Sequence, residues 1–378
     1  MPFAKNKRRV FNFKIMSSNS QLPFPNLFIW ELTEKCNFKC LHCYNIGENS
    51  GVKGFKREKA LDICDQLIEL KPKDILLSGG EVLLSDIWED VASKLCDAGI
   101  TTGIISNGWI LDEQMIDRIK ETGMRWVCIS LDGIEETHDQ VRQANSFKRI
   151  MSALDRLKQE GIYVGISTAI NKLNINQLEQ MYAVLCEKKV DMWQLQLAVP
   201  EGASCINENK LILDPSQIDT IIDFVYERYQ DSPLSINLGD CIGHYNAKEI
   251  EVRSKDNNKD LGIMSFVDGC QAGIRTAAIK ANGNFTACVS LSHPFYSAGS
   301  VYERSIADLW NDPESFAWNR NFDKTNLVGD CKECVYGEYC GSGCPSFKFD
   351  ENFKLVENKH CSYNHALKEN RSKKFEVS

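Results

Sequence analysis

The sequence predicts an α/β fold, in which parallel strands alternate with helices, followed by a small cysteine-rich domain. Six strand-like apolar runs begin near Leu27, Asp74, Thr101, Trp126, Tyr163 and Met192. Helix-like stretches lie between them, at about residues 56–70, 85–98, 112–121, 147–160 and 176–188. Repeated strand–helix units imply parallel strands joined by right-handed crossovers. From about Cys270 onward cysteines and glycines crowd together, which indicates a small domain held by metal more than by an apolar core.

Length and composition narrow the class of protein. The chain has 378 residues, 43% hydrophobic and 25% charged, an ordinary globular composition with room for one domain of about 200–250 residues and a smaller one. A net charge of -8 argues against a general nucleic-acid binder, which usually carries a basic footprint. No apolar run approaches the roughly 20 residues of a membrane span, so neither nucleic acid nor membrane is an expected partner.

Residues 1–26 form a basic N-terminal arm that carries Lys5, Lys7, Arg8, Arg9 and Lys14. The arm lacks the apolar core and cleavage site of a secretory signal, so the expected location is the cytoplasm. We interpret it as a solvated arm, with a contact for an acidic peptide or partner as the alternative. The 16 cysteines fall in clusters, which favours metal binding in a reducing compartment over disulfides.

Three cysteines, Cys36, Cys40 and Cys43, directly follow the apolar run 27–33. A short loop at the C-terminal end of a strand can curl three thiolates around one iron–sulfur cube. Thiolates commonly cap all four irons of such a cube, so three cysteines leave one iron free to bind something else. The free iron points to chemistry and not only to structure.

This C-x3-C-x2-C spacing resembles the signature of the radical SAM superfamily. The resemblance implies a partial (β/α)6 TIM-like barrel, here over residues 27–230, with its active site where the strands end. It also implies that S-adenosylmethionine chelates the fourth iron of a [4Fe-4S] cluster. An electron then breaks a carbon–sulfur bond, and the resulting 5′-deoxyadenosyl radical takes a hydrogen atom from an unactivated carbon. The protein holds the cofactor and aims the radical.

The same resemblance assigns cofactor-binding roles to motifs at the strand ends. In Ser78-Gly79-Gly80-Glu81 the backbone and the acidic side chain would meet the methionine amino group; Val82 stands where the family often has proline. Further expected pocket residues are Ser106, Asn107, Ser130 and Asp132. Asn-Gly and Asp-Gly are also strong turn formers, so a turn role stays open for the last four.

Other cofactor contacts are expected from single residues. Arg142 ends an H-D-x-x-R motif whose arginine would pair with the cofactor carboxylate through its bidentate fork, with a surface ion pair as the alternative. Thr168 and Asn171 are expected at the ribose, and Gln196, on one face with Gln194, at the adenine or the substrate. His42 stands where the family favours an aromatic ring on the adenine; an ordinary solvated histidine is the alternative.

The C-terminal cysteines resemble the seven-cysteine SPASM pattern, which carries auxiliary iron–sulfur clusters. We place this domain at residues 266–365, after a linker at 231–265 and before a tail at 366–378. By resemblance, Cys270, Cys288 and Cys344 bind a first auxiliary [4Fe-4S] cluster, and a second takes Cys331, Cys334, Cys340 and Cys361. Cys241 is the candidate eighth ligand; the alternative is an open iron. Zinc is the other possible occupant of such cysteine spacings.

The remaining cysteines have other expected roles. Cys64, Cys96, Cys128 and Cys186 lie on apolar faces and are predicted to be core residues. Cys205 or Cys241 would be the catalytic thiol donor if the reaction were an epimerisation.

These patterns predict a radical SAM/SPASM enzyme with three [4Fe-4S] clusters that modifies a ribosomally made peptide or small protein, by a crosslink, a thioether or a related change. Val289 after Cys288 counts against the sulfatase-maturing branch, where an aspartate base is expected. Only 26 residues precede the first strand, so leader recognition would need a separate leader-binding protein, the barrel's own edge, or no leader at all. A flavodoxin- or ferredoxin-type electron donor is a further expected partner. The alternatives are an enzyme of the same superfamily acting on a haem-like or other small-molecule precursor, and a zinc-bearing binding protein.

Overall fold

A computed structural model describes residues 24–45, 54–239, 241–242, 247–254 and 269–375. Most of the basic arm, part of the linker and the last residues of the tail therefore lie outside the described residues. The strands within the described parts are β1 Leu27–Glu31, β2 Asp74–Ser78, β3 Thr101–Ser106, β4 Trp126–Ser130, β5 Tyr163–Ile170, β6 Met192–Leu197, β7 Ser235–Leu238, β8 Thr276–Ile279, β9 Asn284–Thr286 and β10 Ser297–Ser300.

Helices connect these strands and cover one face of the sheet. They are α1 Arg57–Leu70, α2 Trp88–Asp97, α3 Glu113–Glu121, α4 Glu135–Val141, α5 Ser146–Gln159, α6 Leu178–Glu187, α7 Ala203–Ile206, α8 Glu208–Leu211, α9 Pro215–Tyr226, α10 Ala247–Ser254, α11 Ile306–Asn311, α12 Ala317–Arg320, α13 Gly337–Cys340, α14 Pro345–Lys348 and α15 Ser362–Phe375. In the part of the chain that the structure describes, none of them has the length and apolar character of a membrane-crossing helix.

The described strands form one sheet in the order β10-β9-β8-β1-β2-β3-β4-β5-β6-β7. Strands β1 to β7 pair in parallel, each with the next along the chain. The sheet is open, because β10 and β7 lie at its two edges. The α/β prediction with a partial barrel is therefore confirmed.

Alternation along the strands separates a helix-covered outer face from an inner face. Trp30 of β1 packs against Phe55, just before α1, and Trp193 of β6 packs against Phe224 of α9. Since successive side chains of a strand point to opposite faces, the residues beside these tryptophans face inward. Glu31 of β1 and Gln194 of β6 are therefore on the inner face.

The sheet continues beyond the expected barrel at both edges. β7 lies in the segment expected to be a linker and pairs with β6. β8 comes from the cysteine-rich part and pairs in parallel with β1. Its small and apolar residues bring the C-terminal part, including Phe285 and Trp310, into the same hydrophobic core as Phe28. Through this pairing the cysteine-rich part also shares the apolar core of the sheet, which the sequence did not predict.

Candidate active site

The loop after β1 carries Cys36, Cys40 and Cys43 and is fixed by the end of β2. The backbone N–H of Gly80 donates to Thr33 O at 2.8 Å, and that of Glu81 donates to Lys35 O at 2.8 Å. A Cβ atom on Gly80 would lie 2.4 Å from the Lys35 carbonyl oxygen, closer than real contacts allow. Glycine at this position therefore lets the β2 end approach the cysteine loop.

We predict that Gly80→Ala displaces the cysteine loop. Overpacking against a backbone carbonyl lowers the free energy of unfolding by about 1–3 kcal/mol and lowers the iron bound by the first cysteine set. Metal analysis and urea unfolding measure both. The control is Gly99→Ala, whose added Cβ meets nothing within 4 Å although its φ of +81° is left-handed. That variant should lose about 1–2 kcal/mol and keep its iron; iron loss in both variants would contradict the prediction.

Glu81 joins the end of β2 to the end of β3. Its carboxylate accepts hydrogen bonds from the Ser106 hydroxyl at 2.9 Å, the Asn107 N–H at 2.7 Å and the Leu83 N–H at 3.3 Å. Burial raises its pKa, and the Asn107 and Ser106 hydrogen bonds oppose that rise. We expected this side chain at the cofactor amino group; the structure shows it holding two strand ends together.

Asn107 extends this connection to the cysteine loop. Its Nδ2 donates to Asn37 Oδ1 at 2.7 Å and lies 4.0 Å from Cys36 Sγ. Ser78 is buried at the end of β2, where its carbonyl accepts from the Leu32 N–H at 2.9 Å. The β2 and β3 motifs thus meet at the cysteine loop, as the strand-end argument predicts.

Asp132, after β4, is the charged centre of the site. It is fully buried and accepts hydrogen bonds from Arg142, from His42 Nε2 at 2.6 Å and from the Ala169 N–H at 2.8 Å. Burial raises the pKa of its carboxyl, but the Arg142 guanidinium and His42 outweigh burial and hold that pKa well below its usual range. Asp132 is therefore ionised.

Arg142 and His42 are accordingly not surface residues. The side chain of each is 11% exposed, and Arg142 Nη1 lies 4.0 Å from Cys40 Sγ. In the structure Arg142 pairs with Asp132, beside the cysteine loop where a cofactor carboxylate is expected. His138 of the same motif accepts the Asp132 N–H at 3.0 Å and fixes the turn.

The donor set of the cysteine loop fits an iron–sulfur cluster. Burial raises the pKa of the Cys36 and Cys43 thiols and that of Cys40 to about 12. The charge of the Arg142 guanidinium opposes this rise and favours a lower pKa for Cys40 and Cys43. Iron binding has to displace protons from these thiols, which a soft metal and a nearby guanidinium both favour.

The remaining expected pocket residues divide by the face on which they lie. Ser130 and Gln196 are on the inner face, and Gln196 is exposed there. Thr168 is fully buried on the outer face, where it donates to Leu131 O at 2.6 Å and accepts from Trp193 Nε1 at 2.8 Å. Asn171 is fully buried and its Nδ2 donates to Ala169 O at 2.8 Å. Both side chains stabilise the end of β5, and their expected role at the ribose stays a prediction.

Four C-terminal cysteines surround one cavity. Its lining includes Cys331, Cys334, Cys340 and Cys361, the set assigned to the second auxiliary cluster. Burial raises the pKa of Cys340 to about 12 and that of Cys361 to about 11. Among the residues that the structure describes, no three histidine, cysteine or carboxylate groups are arranged around a single metal ion. Four soft donors around one cavity are the chemistry that an iron–sulfur cube requires.

The other set gathers around Cys344. Charges on Cys241 and Cys288 act on the Cys344 thiol, whose pKa burial raises to about 12. Cys241 Sγ also accepts the Leu197 N–H at 3.2 Å, so it lies at the end of β6. Lys348, buried beside this set, interacts with the charges of Cys270, Cys344 and Cys340, and burial lowers its pKa. The structure thus places Cys241 with the first auxiliary set, and Lys348 near both sets.

We predict that Cys340→Ala removes one cluster and leaves the radical site. The iron content should fall by about four atoms per chain, while substrate-independent cleavage of S-adenosylmethionine continues, because Cys36, Cys40 and Cys43 lie on a separate loop. Metal analysis and deoxyadenosine assays test this. Cys186→Ala, in α6, is the matched control and should keep all its iron. Loss of all iron in Cys340→Ala would contradict the prediction.

Residues between the two cluster regions were missed from the sequence. Lys280, just after β8, donates to Glu31 at 3.0 Å and to the Val289 carbonyl at 2.7 Å. Tyr44 donates to the same Glu31 carboxylate at 3.0 Å, and the ammonium lies 4.8 Å from the Tyr44 ring centre. These contacts connect the residues after Cys43 to those after Cys288. The only sequence signal was that Glu31 is a charged residue in an apolar strand.

The segment after β6 covers the cysteine loop. The Ala203 N–H donates to Cys43 O at 2.8 Å, and the Ser204 hydroxyl donates to His42 O at 3.1 Å. Cys205 follows directly, is exposed, and its thiol donates to Pro200 O at 2.9 Å. Glu201 of the same segment has its pKa raised by burial, against the influence of Ser346 and Lys280. By contrast, Cys64 and Cys128 are core residues, and Cys96 and Cys186 pack against the core.

The comparisons with known proteins agree with this geometry. The chain matches the radical SAM superfamily over residues 30–185 and the SPASM iron–sulfur cluster-binding domain over residues 270–335. The protein is therefore a radical SAM enzyme with a SPASM domain. Such proteins bind iron–sulfur clusters and S-adenosylmethionine.

Two curated relatives differ in what they do. The chain is 25% identical over 351 residues to the AdoMet-dependent heme synthase of Methanosarcina barkeri, covering 90% of this chain and 97% of that protein. It is 24% identical over 332 residues to the mycofactocin maturase MftC of Mycolicibacterium smegmatis, covering 87% and 80%. The names of these relatives thus cover two substrate classes.

A solved structure shares the fold. SuiB of Streptococcus suis bound to S-adenosylmethionine superposes with a TM-score of 0.70 at 16% identity, covering 90% of this chain and 78% of SuiB. SuiB bound to its precursor peptide SuiA also gives 0.70, at 15% identity, covering 90% and 76%. At this identity the likeness supports the fold described above.

Proposed function

We propose that the protein modifies a ribosomally made peptide or small protein, beginning with hydrogen abstraction from a carbon atom of the substrate. S-adenosylmethionine, bound with the cluster on Cys36, Cys40 and Cys43, would supply the 5′-deoxyadenosyl radical for that step. Asp132, ionised and fixed by three donors, would hold Arg142 and His42 in the orientation that the cofactor needs. A flavodoxin- or ferredoxin-type protein would be the electron donor, and a separate leader-binding protein a further partner.

The observation that carries this proposal is the chemistry of the inner face. Ser130, Ser167 and Gln194 lie side by side on β4, β5 and β6, because they are register partners. Hydroxyl and carboxamide groups match the donors and acceptors of peptide groups. Lys280 and Arg142 reach the same end of the barrel, but both are already ion-paired, to Glu31 and Asp132. A porphyrin bearing several carboxylates would favour free cations instead.

The cysteines at the auxiliary sites fit a peptide-modifying enzyme. We propose two auxiliary [4Fe-4S] clusters, the first on Cys270, Cys288, Cys344 and Cys241 and the second on the four cavity cysteines. Cys241 and Cys288 lie close enough to Cys344 for their charges to raise the pKa of its thiol, which supports a ligand role for Cys241. Cys205, exposed beside the cysteine loop, is the thiol that would donate hydrogen if the product were an epimer.

A tetrapyrrole substrate is the second candidate. It is favoured by the match to the Methanosarcina barkeri heme synthase, which extends over 97% of that protein. The test supplies the reduced, reconstituted enzyme with peptides encoded beside its gene and, separately, with an iron porphyrin bearing propionates. Deoxyadenosine formation above the uncoupled rate, with a mass change in the peptide, is expected. Turnover of the porphyrin alone would replace the proposal with the second candidate.

A further inference from the structure

Two carboxamide side chains face each other across β6 and β7. Gln194 and Asn237 are register partners in the parallel sheet. Trp193 packs outward on Phe224 of α9, so Gln194 points to the inner face, and its register partner points the same way. The pair therefore lies inside the barrel.

Both side chains keep an unused polar atom. Each residue is 9% exposed, and among the residues that the structure describes neither Gln194 Oε1 nor Asn237 Nδ2 has a hydrogen-bond partner. The Ser235 hydroxyl donates to Asn237 Oδ1 at 3.3 Å, which leaves the Nδ2 donor as the available group. Leaving a buried donor and a buried acceptor without partners costs free energy, so the two atoms are matched to something that enters the barrel.

Bulky side chains fill the inner face on one side of the pair, and exposed Gln196 lies on the other side. Trp126 covers Gly103, where a Cβ would lie 2.2 Å from the indole ring, and Met192 Cε lies 2.9 Å from the Cβ position of Gly165. Two residues further along β6, Gln196 is exposed on the same face. Its register partner Ala169 donates its N–H to Asp132 at 2.8 Å. The inner face thus leads from the pair, past Gln196 and Ala169, toward the charged centre of the active site.

We propose that Gln194 and Asn237 bind a carboxamide group of the substrate, either a peptide bond or an asparagine or glutamine side chain. The substrate N–H donates to Gln194 Oε1, and its carbonyl accepts from Asn237 Nδ2. Neighbouring strands lie about 4.8 Å apart, so one carboxamide can reach both side chains. A carboxylate has no donor for Gln194 Oε1 and is disfavoured. This inference rests on the proposed function and names the group that it recognises.

The test compares propionamide with propionate, which differ only in the group recognised. Equilibrium dialysis of each labelled compound against the reconstituted enzyme is expected to show at least about fivefold stronger binding of propionamide, the effect of one buried hydrogen bond. Gln194→Leu and Asn237→Leu should each weaken propionamide binding by about fivefold. The control Gln180→Leu, on the exposed side of α6, should not change it.

Equal binding of the two compounds, binding of neither, or leucine variants that bind like the wild type would each overturn the inference. The comparison within the wild-type protein needs no variant, so it holds even if a leucine variant fails to fold. If a peptide is modified but propionamide does not bind, the inference falls and the proposed function stands. If propionamide binds but only the porphyrin is turned over, the proposed function falls and the carboxamide site stands.

Discussion

Replacing Cys43 with alanine is expected to abolish deoxyadenosine formation. With two thiolates left in the loop, the cluster loses a third of its protein ligands. Loss of an outer-shell partner of a metal site typically costs about 10–100-fold in affinity or activity, and loss of a ligand itself costs more. The assay is anaerobic deoxyadenosine formation with dithionite as reductant, measured with S-adenosylmethionine alone.

The matched control is Cys96→Ala, a half-buried cysteine of α2 outside the cluster sets. It should retain wild-type cleavage of S-adenosylmethionine. The Cys43 variant should also keep the iron of the auxiliary sites, which separates a lost cluster from a lost fold. Deoxyadenosine formation by the Cys43 variant at the wild-type rate would contradict the whole mechanism.

Asp132→Asn is expected to lower the free energy of unfolding by about 3–5 kcal/mol, because it leaves the guanidinium of Arg142 buried without a charged partner. The carboxyl of Asp132 is fully buried, and its pKa lies well below the ordinary value. Such a group contributes stability that is present above the unfolded pKa of about 4 and is lost as the pH falls toward the folded pKa. The difference in free energy of unfolding between wild type and variant, referred to below as the gap, should therefore shrink below about pH 4.

Urea unfolding of the metal-free proteins at several pH values measures this gap. Asp90→Asn is the control, because Asp90 also pairs with an arginine, Arg57, through two hydrogen bonds at 2.6 and 2.7 Å, but on the exposed surface. Solvent screens that pair, so its loss should cost far less. A gap that stays constant from neutral to acidic pH would show that Asp132 is not held ionised by Arg142.

The sequence located the groups that lie at strand ends. Cys36, the Gly79-Gly80 turn and Asn107 each follow an apolar run directly, and parallel strands bring such positions to one edge. The loop geometry then follows from local rules, such as the close approach that requires glycine at residue 80. This is why the cysteine loop and its neighbours could be placed before any coordinates.

Some side chains could not be placed in this way, because their position depends on which face of a strand they occupy or on pairing between distant segments of the chain. Ser167 and Thr168 are adjacent polar residues, so polarity alone did not decide which of them faces inward, although Thr168 has the parity of Val164, Ile166 and Ile170. Lys280 meets Glu31 across 249 positions of sequence, through the pairing of β8 with β1. The four-residue β7 was too short to distinguish from a linker, although it carries Asn237.

We propose that the chain builds three cluster sites, one for radical chemistry and two auxiliary. The most direct test is iron and acid-labile sulfide per chain, after anaerobic purification and reconstitution. The account predicts about twelve iron atoms and about twelve sulfides, corresponding to three cubes. About four iron atoms with zinc alongside would keep the radical site, but would contradict the auxiliary clusters and the role assigned to the C-terminal cysteines.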